Sequence, residues 1–242
     1  MLAERSTAAP LGLERYACER TATQAHHTLE RDLHDQVVAL RRDHHDAEQE
    51  LGHVIELRDY DMAAHVARVG ELSAHLAAAA GLDAPYCARI RAAAPLHDIG
   101  KLAVPDSILL KPGPLSDAEW EIMRAHAEIG WSVLRHSSSP TVRLAAVIAY
   151  THHERWDGLG YPRGVAGDAI PLSGRLVAVC DAFDALTNVR PYRPALTQDA
   201  ALDRMLDSPG QFDPRLLALF CGGATPCSSR GAPARAGRAP LR

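Results

Sequence analysis

The sequence predicts an all-α protein. The alternation of period 2 that marks strands is missing, and apolar clusters such as LAAVIAY carry too much alanine for a sheet. Helix punctuation, by contrast, stands in order along the middle of the chain. A helix is expected from near Met62 to Ala80, stopped by Gly81, because glycine closes a helix without a Cβ penalty. Ser116 and Glu119 form a capping box ahead of a helix carrying Trp120, Ile122, Met123, Ile129 and Val133. Ser139-Pro140 opens the next helix and Asp213-Pro214 the last. In each, an acceptor side chain precedes a proline whose missing N–H the first turn does not need.

Residues 1–50 are expected to form a linker helix. Between about Leu29 and Arg58, Leu33, Val37, Leu40, His44, Ala47, Leu51 and Val54 recur with spacings that alternate between four and three, a heptad seam. The seam is short and includes the weak positions His44 and Ala47. It fits either a helix packed on its own domain or a coiled coil joining a homodimer. Residues 51–221 are expected to hold the catalytic domain. Residues 222–242 carry four Arg, several Gly and Pro, no acidic residue, and Leu241 as the sole large aliphatic side chain, so a disordered tail is expected.

A chain of 242 residues with 47% hydrophobic residues can bury the core of one ordinary domain. Its net charge of -4 offers no basic field of the kind used to bind nucleic acid polymers, so an anionic substrate must meet local cations. Cys18, Cys87, Cys180, Cys221 and Cys227 are scattered, with no CxxC pair. They suggest neither a disulfide framework nor a thiolate zinc site, and they fit a reducing compartment. Glu4 and Arg5 stand where an apolar signal core would begin, and no stretch approaches the ~18 apolar residues of a spanning helix. A soluble, cytoplasmic protein without a membrane partner is expected.

Of the thirteen histidines, the tandem pairs His26-His27 and His44-His45 lie among Glu, Arg and Asp in the N-terminal helix and read as surface residues. Others have a different setting. Asp61 and His65, four apart, project from one helical face and can reach a common ion. His97-Asp98 ends the apolar stretch RAAAPLHD, His126 sits mid-helix in RAHAEIG, and His152-His153 follow the apolar run AAVIAYT. Asp181 lies inside LVAVCDAFDAL, where an unpartnered carboxylate would be costly. Five imidazoles and up to three carboxylates without a thiolate suit iron, manganese, nickel or zinc, and they are too many for one ion. Two or three metals are implied.

Cations accompany these residues. Lys101 follows His97 by four, and Arg190 and Arg193 follow Asp181 by nine and twelve. Cations beside metals suit a phosphate better than a neutral substrate, because both act on charge at non-bridging oxygens. In ERWDGLGYP, Gly158, Gly160 and Pro162 make a turn-rich loop and Tyr161 supplies a ring and a hydroxyl, a composition that often carries recognition.

Together these segments resemble the HD-GYP domain, a subgroup of the HD superfamily of metal-dependent phosphohydrolases. APLHDIGKLAVPDSILLKPGPLS is similar to its HD stretch, HAEIG to its third histidine motif, HHERWDGLGYP to the signature that names it, and VCDAFDALTNVRPYR to its closing aspartate motif. The match runs from about residue 52 to 221. It implies an HD-type helical bundle behind the N-terminal linker helix. It also implies hydrolysis of cyclic di-GMP to pGpG, and onward to GMP, by a hydroxide held between two ions. The ligand positions fall on His65, His97, Asp98, His126, His152, His153 and Asp181, with iron or manganese as the metal. Asp61 takes the place where trinuclear members have Glu, and its shorter reach bears on the third ion.

Lys101, Tyr161, Arg190 and Arg193 fall where members contact substrate phosphates or guanine. Ala127 replaces the proline usual after the third histidine. Asp98 is expected to bridge the two ions and Lys101 to stabilise charge on the phosphoryl oxygens, so these two are the expected catalytic residues. Members are often fused to receiver or other sensory domains, and the N-terminal helix is expected to transmit a signal, through homodimerisation or partner proteins. Two alternatives stand beside this reading: an HD phosphohydrolase acting on another nucleotide or phosphate ester, and a non-catalytic cyclic di-GMP receptor that recruits partners.

Overall fold

The structure is a computed structural model that describes Gln24 and residues 30–36, 63–189 and 194–224. The chain divides into two compact units, Met1–Ala47 and Glu48–Arg242. In the first, residues 30–36 are helical and Leu33 is exposed. The other positions of the heptad seam lie outside the described residues, as do both N-terminal tandem histidine pairs, Asp61, Arg190, Arg193 and the chain beyond 224.

The second unit is helical, with no strand among the described residues. Its helices are α1 (Ala63–Ala79), α2 (Ala84–Ala93), α3 (Asp106–Leu109), α4 (Asp117–Arg124), α5 (His126–Leu134), α6 (Pro140–Thr151), α7 (Leu172–Thr187), α8 (Gln198–Leu206) and α9 (Pro214–Ala224). Tight 3-10 turns occupy Ala94–Leu96, Ile99–Ala103 and Gly167–Ala169. None of the described helices is long and apolar enough to cross a membrane.

Helices α1, α2, α6 and α7 surround the core, where Val69, Ala77, Ile90, Leu96, Ile148, Leu176, Val177 and Val179 are buried, with Met205 of α8 beneath them. Burying each large aliphatic side chain contributes about 1.5–3 kcal/mol. The alanines that argue against strands lie on the contact faces: Ala93, Ala94, Ala145, Ala146 and Ala149 are all buried and let the helix axes approach closely.

The caps form as the residues dictate. Gly81 closes α1 at φ +83°. Ser116 Oγ accepts from the Glu119 N–H at 3.3 Å while the Glu119 carboxylate accepts from the Ser116 N–H at 2.7 Å. Ser139 Oγ accepts from Val142 N–H and Asp213 Oδ1 from Arg215 N–H, which starts α6 and α9.

Three boundaries differ from expectation, two of them for reasons that bear on the site. The helix expected to run from the capping box through Val133 breaks at Ala125, so His126 is the first residue of α5 and not a mid-helix residue. Its imidazole Nδ1 takes the Met123 carbonyl at 2.6 Å, a group that a continuous helix would have used for a main-chain bond. The stretch RAAAPLHD leaves α geometry at Ala93 and tightens into a 3-10 turn, because Pro95 has no N–H for the Arg91 carbonyl. Helix α9 continues to Ala224, three residues past the expected edge of the domain.

The turn Ile99–Ala103 rests directly on the start of α5. A Cβ at Gly100 would fall on the His126 carbonyl oxygen, and Gly130 faces the same contact from α5. Gly100→Ala is therefore expected to force the turn off α5 and destabilise the domain by about 2–4 kcal/mol in chemical denaturation. A variant as stable as the parent would contradict this packing.

Candidate metal centre

The bundle brings seven of the sequence-selected residues to one place. His65 comes from α1, His97 and Asp98 from the turn after α2, His126 from the head of α5, His152 and His153 from the end of α6, and Asp181 from the middle of α7. Their ligand atoms fall into two groups, each mutually within 4.8 Å: His65, His97 and Asp181 in one, and Asp98, His126, His152 and His153 in the other.

Asp98 stands between the groups. Its Oδ1 is 3.3 Å from His126 Nε2 and 3.5 Å from His152 Nε2, and its Oδ2 is 3.3 Å from His97 Nε2. In the other group, Asp181 Oδ1 lies 3.4 Å from His65 Nε2 and 3.9 Å from His97 Nε2. An ion with bonds of about 2.1 Å to nitrogen and oxygen holds neighbouring ligand atoms roughly 3.0–3.4 Å apart, which the 3.3 and 3.4 Å spacings match and the 3.5 and 3.9 Å spacings slightly exceed.

The ring orientations support the same use. His97, His126 and His152 donate from Nδ1 to the carbonyls of Ala94, Met123 and Ile148, and His65 bonds through Nδ1 to Asp184 Oδ2. A carbonyl can only accept, so for those three rings Nδ1 carries a proton and Nε2 is the nitrogen left to face a cation, which would take the place of any proton there. The buried Nε2 atoms of His65, His97, His126 and His152, with Asp98 Oδ1, have no hydrogen-bond partner among the described residues. Buried polar atoms left this way are expensive unless a cation satisfies them, and a set of nitrogens and oxygens without sulfur fits a borderline or hard divalent ion.

The electrostatics follow from burial and from this crowding. Burial works against ionisation of Asp98, yet the Lys101 ammonium and the His97 ring outweigh it and hold the carboxyl well below its usual range. Asp181 is likewise buried and is lowered by His97 and His65. Burial opposes a charge on His97, but Asp98 and Asp181 overcome it and raise the ring to about 9. His152 and His153 are pushed down, chiefly by burial, and His153 also by its imidazole neighbours. The pocket is thus a low-dielectric site with two ionised carboxylates.

At the rim, Lys101 Nζ reaches Asp98 Oδ2 at 2.6 Å. The Tyr161 ring stacks on His153 with centroids 4.7 Å apart, and Arg124 lies 5.7 Å from the Tyr161 centroid. Burial raises the Tyr161 hydroxyl above its ordinary value, so it stays protonated at neutral pH.

The loop that delivers Tyr161 is stapled from several sides. The Tyr161 N–H donates to the His153 carbonyl at 3.2 Å, and a Cβ at Gly160 would collide with Arg155 and His153, so glycine is required for that approach. Trp156 and Asp157 donate main-chain bonds to Gln211 and Gly210, and Arg163 donates to Glu154 Oε1.

Sequence reasoning missed Asp184, Arg68 and Glu154, all of which support the site. Asp184 and Arg68 each follow a selected residue by three positions, one helical turn along the same face, and that spacing was the available signal. Glu154 directly follows His153, yet nothing in its neighbourhood distinguishes it from an exposed loop acid. Asp61, Arg190 and Arg193 cannot be placed, lying outside the described residues.

Comparison with known proteins bears on the whole bundle. The family model described as HD domain matches residues 50–216. A cyclic di-GMP phosphodiesterase of Thermotoga maritima is 46% identical over 166 residues, 68% of this chain and 45% of that protein. A 3'3'-cGAMP-specific phosphodiesterase of Vibrio cholerae is 41% identical over 185 residues, 76% of this chain and 35% of its own length. The chain therefore spans about half or less of these relatives. Among solved structures, a cyclic GMP-AMP specific phosphodiesterase of V. cholerae, V-cGAP3, superposes with a TM-score of 0.56 at 18% identity. The superposition covers 74% of this chain and 48% of that one, a likeness of fold. The family match spans more than half of the chain and contains every described candidate ligand, and the chain belongs to the HD domain family.

Proposed function

We propose that the domain is a metal-dependent phosphodiesterase that hydrolyses cyclic di-GMP to pGpG, and onward to GMP. The observation that carries this is the convergence of four buried Nε2 atoms and Asp98 Oδ1, all without hydrogen-bond partners among the described residues, on two ligand groups, with Asp98 in one and its Oδ2 3.3 Å from His97 of the other. In this reading His65, His97 and Asp181 would hold one divalent ion and His126, His152 and His153 the other, with Asp98 serving both and iron or manganese as the metal. Asp61, outside the described residues, is the candidate ligand for a third. When bound, such ions supply Lewis acidity toward phosphoryl oxygens and a water acidic enough to act as nucleophile at neutral pH.

The chain's own residues do the rest. Asp98 fixes the relation between the two pockets. Lys101, whose ammonium sits on the Asp98 carboxylate, brings its positive charge to a phosphoryl oxygen held at the same place. Tyr161 gives an aromatic face and a protonated hydroxyl for a guanine or phosphate. Arg190 and Arg193 are proposed as further phosphate or guanine contacts. The buried histidines keep water from the inner faces of both carboxylates, which strengthens their attraction for cations. A second reading changes only the substrate: the 41% identical relative named for 3'3'-cGAMP favours that dinucleotide as the alternative. Homodimerisation through the N-terminal helix, signalling partners and a cytoplasmic location belong to the same proposal.

The test is turnover of both cyclic dinucleotides by anaerobically purified, metal-analysed protein. Cyclic di-GMP turnover that chelation abolishes and iron or manganese restores is expected. Binding without turnover would make the protein a receptor, and faster turnover of 3'3'-cGAMP would replace the substrate.

His97→Ala and Asp98→Ala are each expected to bring hydrolysis to background and to lower bound metal, and retained turnover with full metal content would overturn the assignment. Tyr161→Phe is expected to lower kcat/KM about three- to tenfold, the loss of one hydrogen bond, with metal content unchanged.

A further inference from the structure

Among the candidate ligands, the four histidines with an Nδ1 bond are not supported alike. His97, His126 and His152 lean on backbone carbonyls, which carry no net charge. His65 leans on a carboxylate, with its Nδ1 2.6 Å from Asp184 Oδ2. Asp184 is 2% exposed and lies one turn beyond Asp181 on α7. Arg68, one turn along α1 from His65, grips it from the other side, Nε to Oδ1 at 2.6 Å and Nη2 to Oδ2 at 3.0 Å.

A carboxylate behind an imidazole fixes the tautomer, restrains the ring and raises the basicity of the far nitrogen. Removing such a partner typically lowers metal affinity 10–100-fold. A neutral carbonyl fixes the tautomer with less electronic push. Asp184 is not itself a ligand candidate, since both its oxygens are occupied by His65 and Arg68 and it belongs to neither ligand group. Arg68 supplies the charge that lets a carboxylate so deeply buried remain ionised.

We infer that Asp184, charge-balanced by Arg68, is a positioning residue for one of the two ions. It sets the affinity of the His65–His97–Asp181 pocket and leaves the pocket of His126, His152 and His153 unaffected. The two ions are then unequal by construction. This inference rests on the two-ion reading of the site.

The experiment is titration of the metal-stripped full chain with Mn(II), counting bound ions. His153→Ala leaves the first pocket to be read, and His65→Ala leaves the second. Introducing Asp184→Asn is expected to weaken the remaining ion roughly 10–100-fold in the His153→Ala background and by less than about threefold in the His65→Ala background. Equal weakening in both backgrounds would mark a general structural role and overturn the inference, as would no change in the first. A parent chain that takes up no Mn(II) would instead sink the two-ion reading itself, and the parent titration separates that outcome from the others. Should Asp184→Asn fail to fold, the zinc-loaded parent still decides the matter. The His65 Nδ1 proton is expected downfield of the Nδ1 protons of His97, His126 and His152 in NMR, and coincident positions would overturn the inference.

Discussion

The Asp98 carboxylate faces buried imidazole nitrogens from both of its oxygens, and the surrounding structure is arranged to make that position tenable. A carboxylate this deeply buried is held ionised by Lys101 and His97. It can face both groups because it stands in the turn between two 3-10 segments, where the chain leaves α2. That turn sits where it does because Pro95 ends the helix before it and Gly100 allows the segment after it to rest on α5. The site therefore depends on two residues, Pro95 and Gly100, that touch no ligand.

A second support comes from the far end of the sequence. The guanidinium carbons of Arg175 and Arg215 lie 5.6 and 5.3 Å from the Trp156 ring centroid. Both arginines pair with Asp168 and Asp213. Asp213 is also the cap of α9, so the last described helix, the start of α7 and the loop carrying Tyr161 are tied into one charged and aromatic cluster. Cation–π contacts of this kind contribute about 0.5–1 kcal/mol at exposed sites, modest singly and additive to the main-chain bonds that anchor the loop.

Much of this was legible in the sequence because it rests on local rules. Helix identity followed from periodicity and from caps whose chemistry acts within four residues, as at Ser116, Ser139 and Asp213. The candidate ligands were singled out as residue types that are costly to bury alone, and the bundle brings seven of them together in two groups. The break at Ala125 was not legible, since it depends on one imidazole competing for the Met123 carbonyl, and RAHAEIG by itself continues a helix well. The roles of Asp184 and Arg68 were hidden for a related reason. Each is one turn from a recognisable residue, yet their partnership joins α1 to α7 across 116 positions and exists only after packing. The N-terminal seam shows the opposite limit: the pattern is plain in the sequence, yet of its positions Leu33 alone is described, exposed on a helical segment.

The central claim is that Asp98 lies between two metal pockets and serves both. Anomalous diffraction from crystals loaded with Mn(II) tests it most directly. The account predicts two anomalous peaks, each about 2.0–2.2 Å from a different oxygen of Asp98, one flanked by His65, His97 and Asp181 and the other by His126, His152 and His153. A single peak, or two peaks of which only one contacts Asp98, would contradict it.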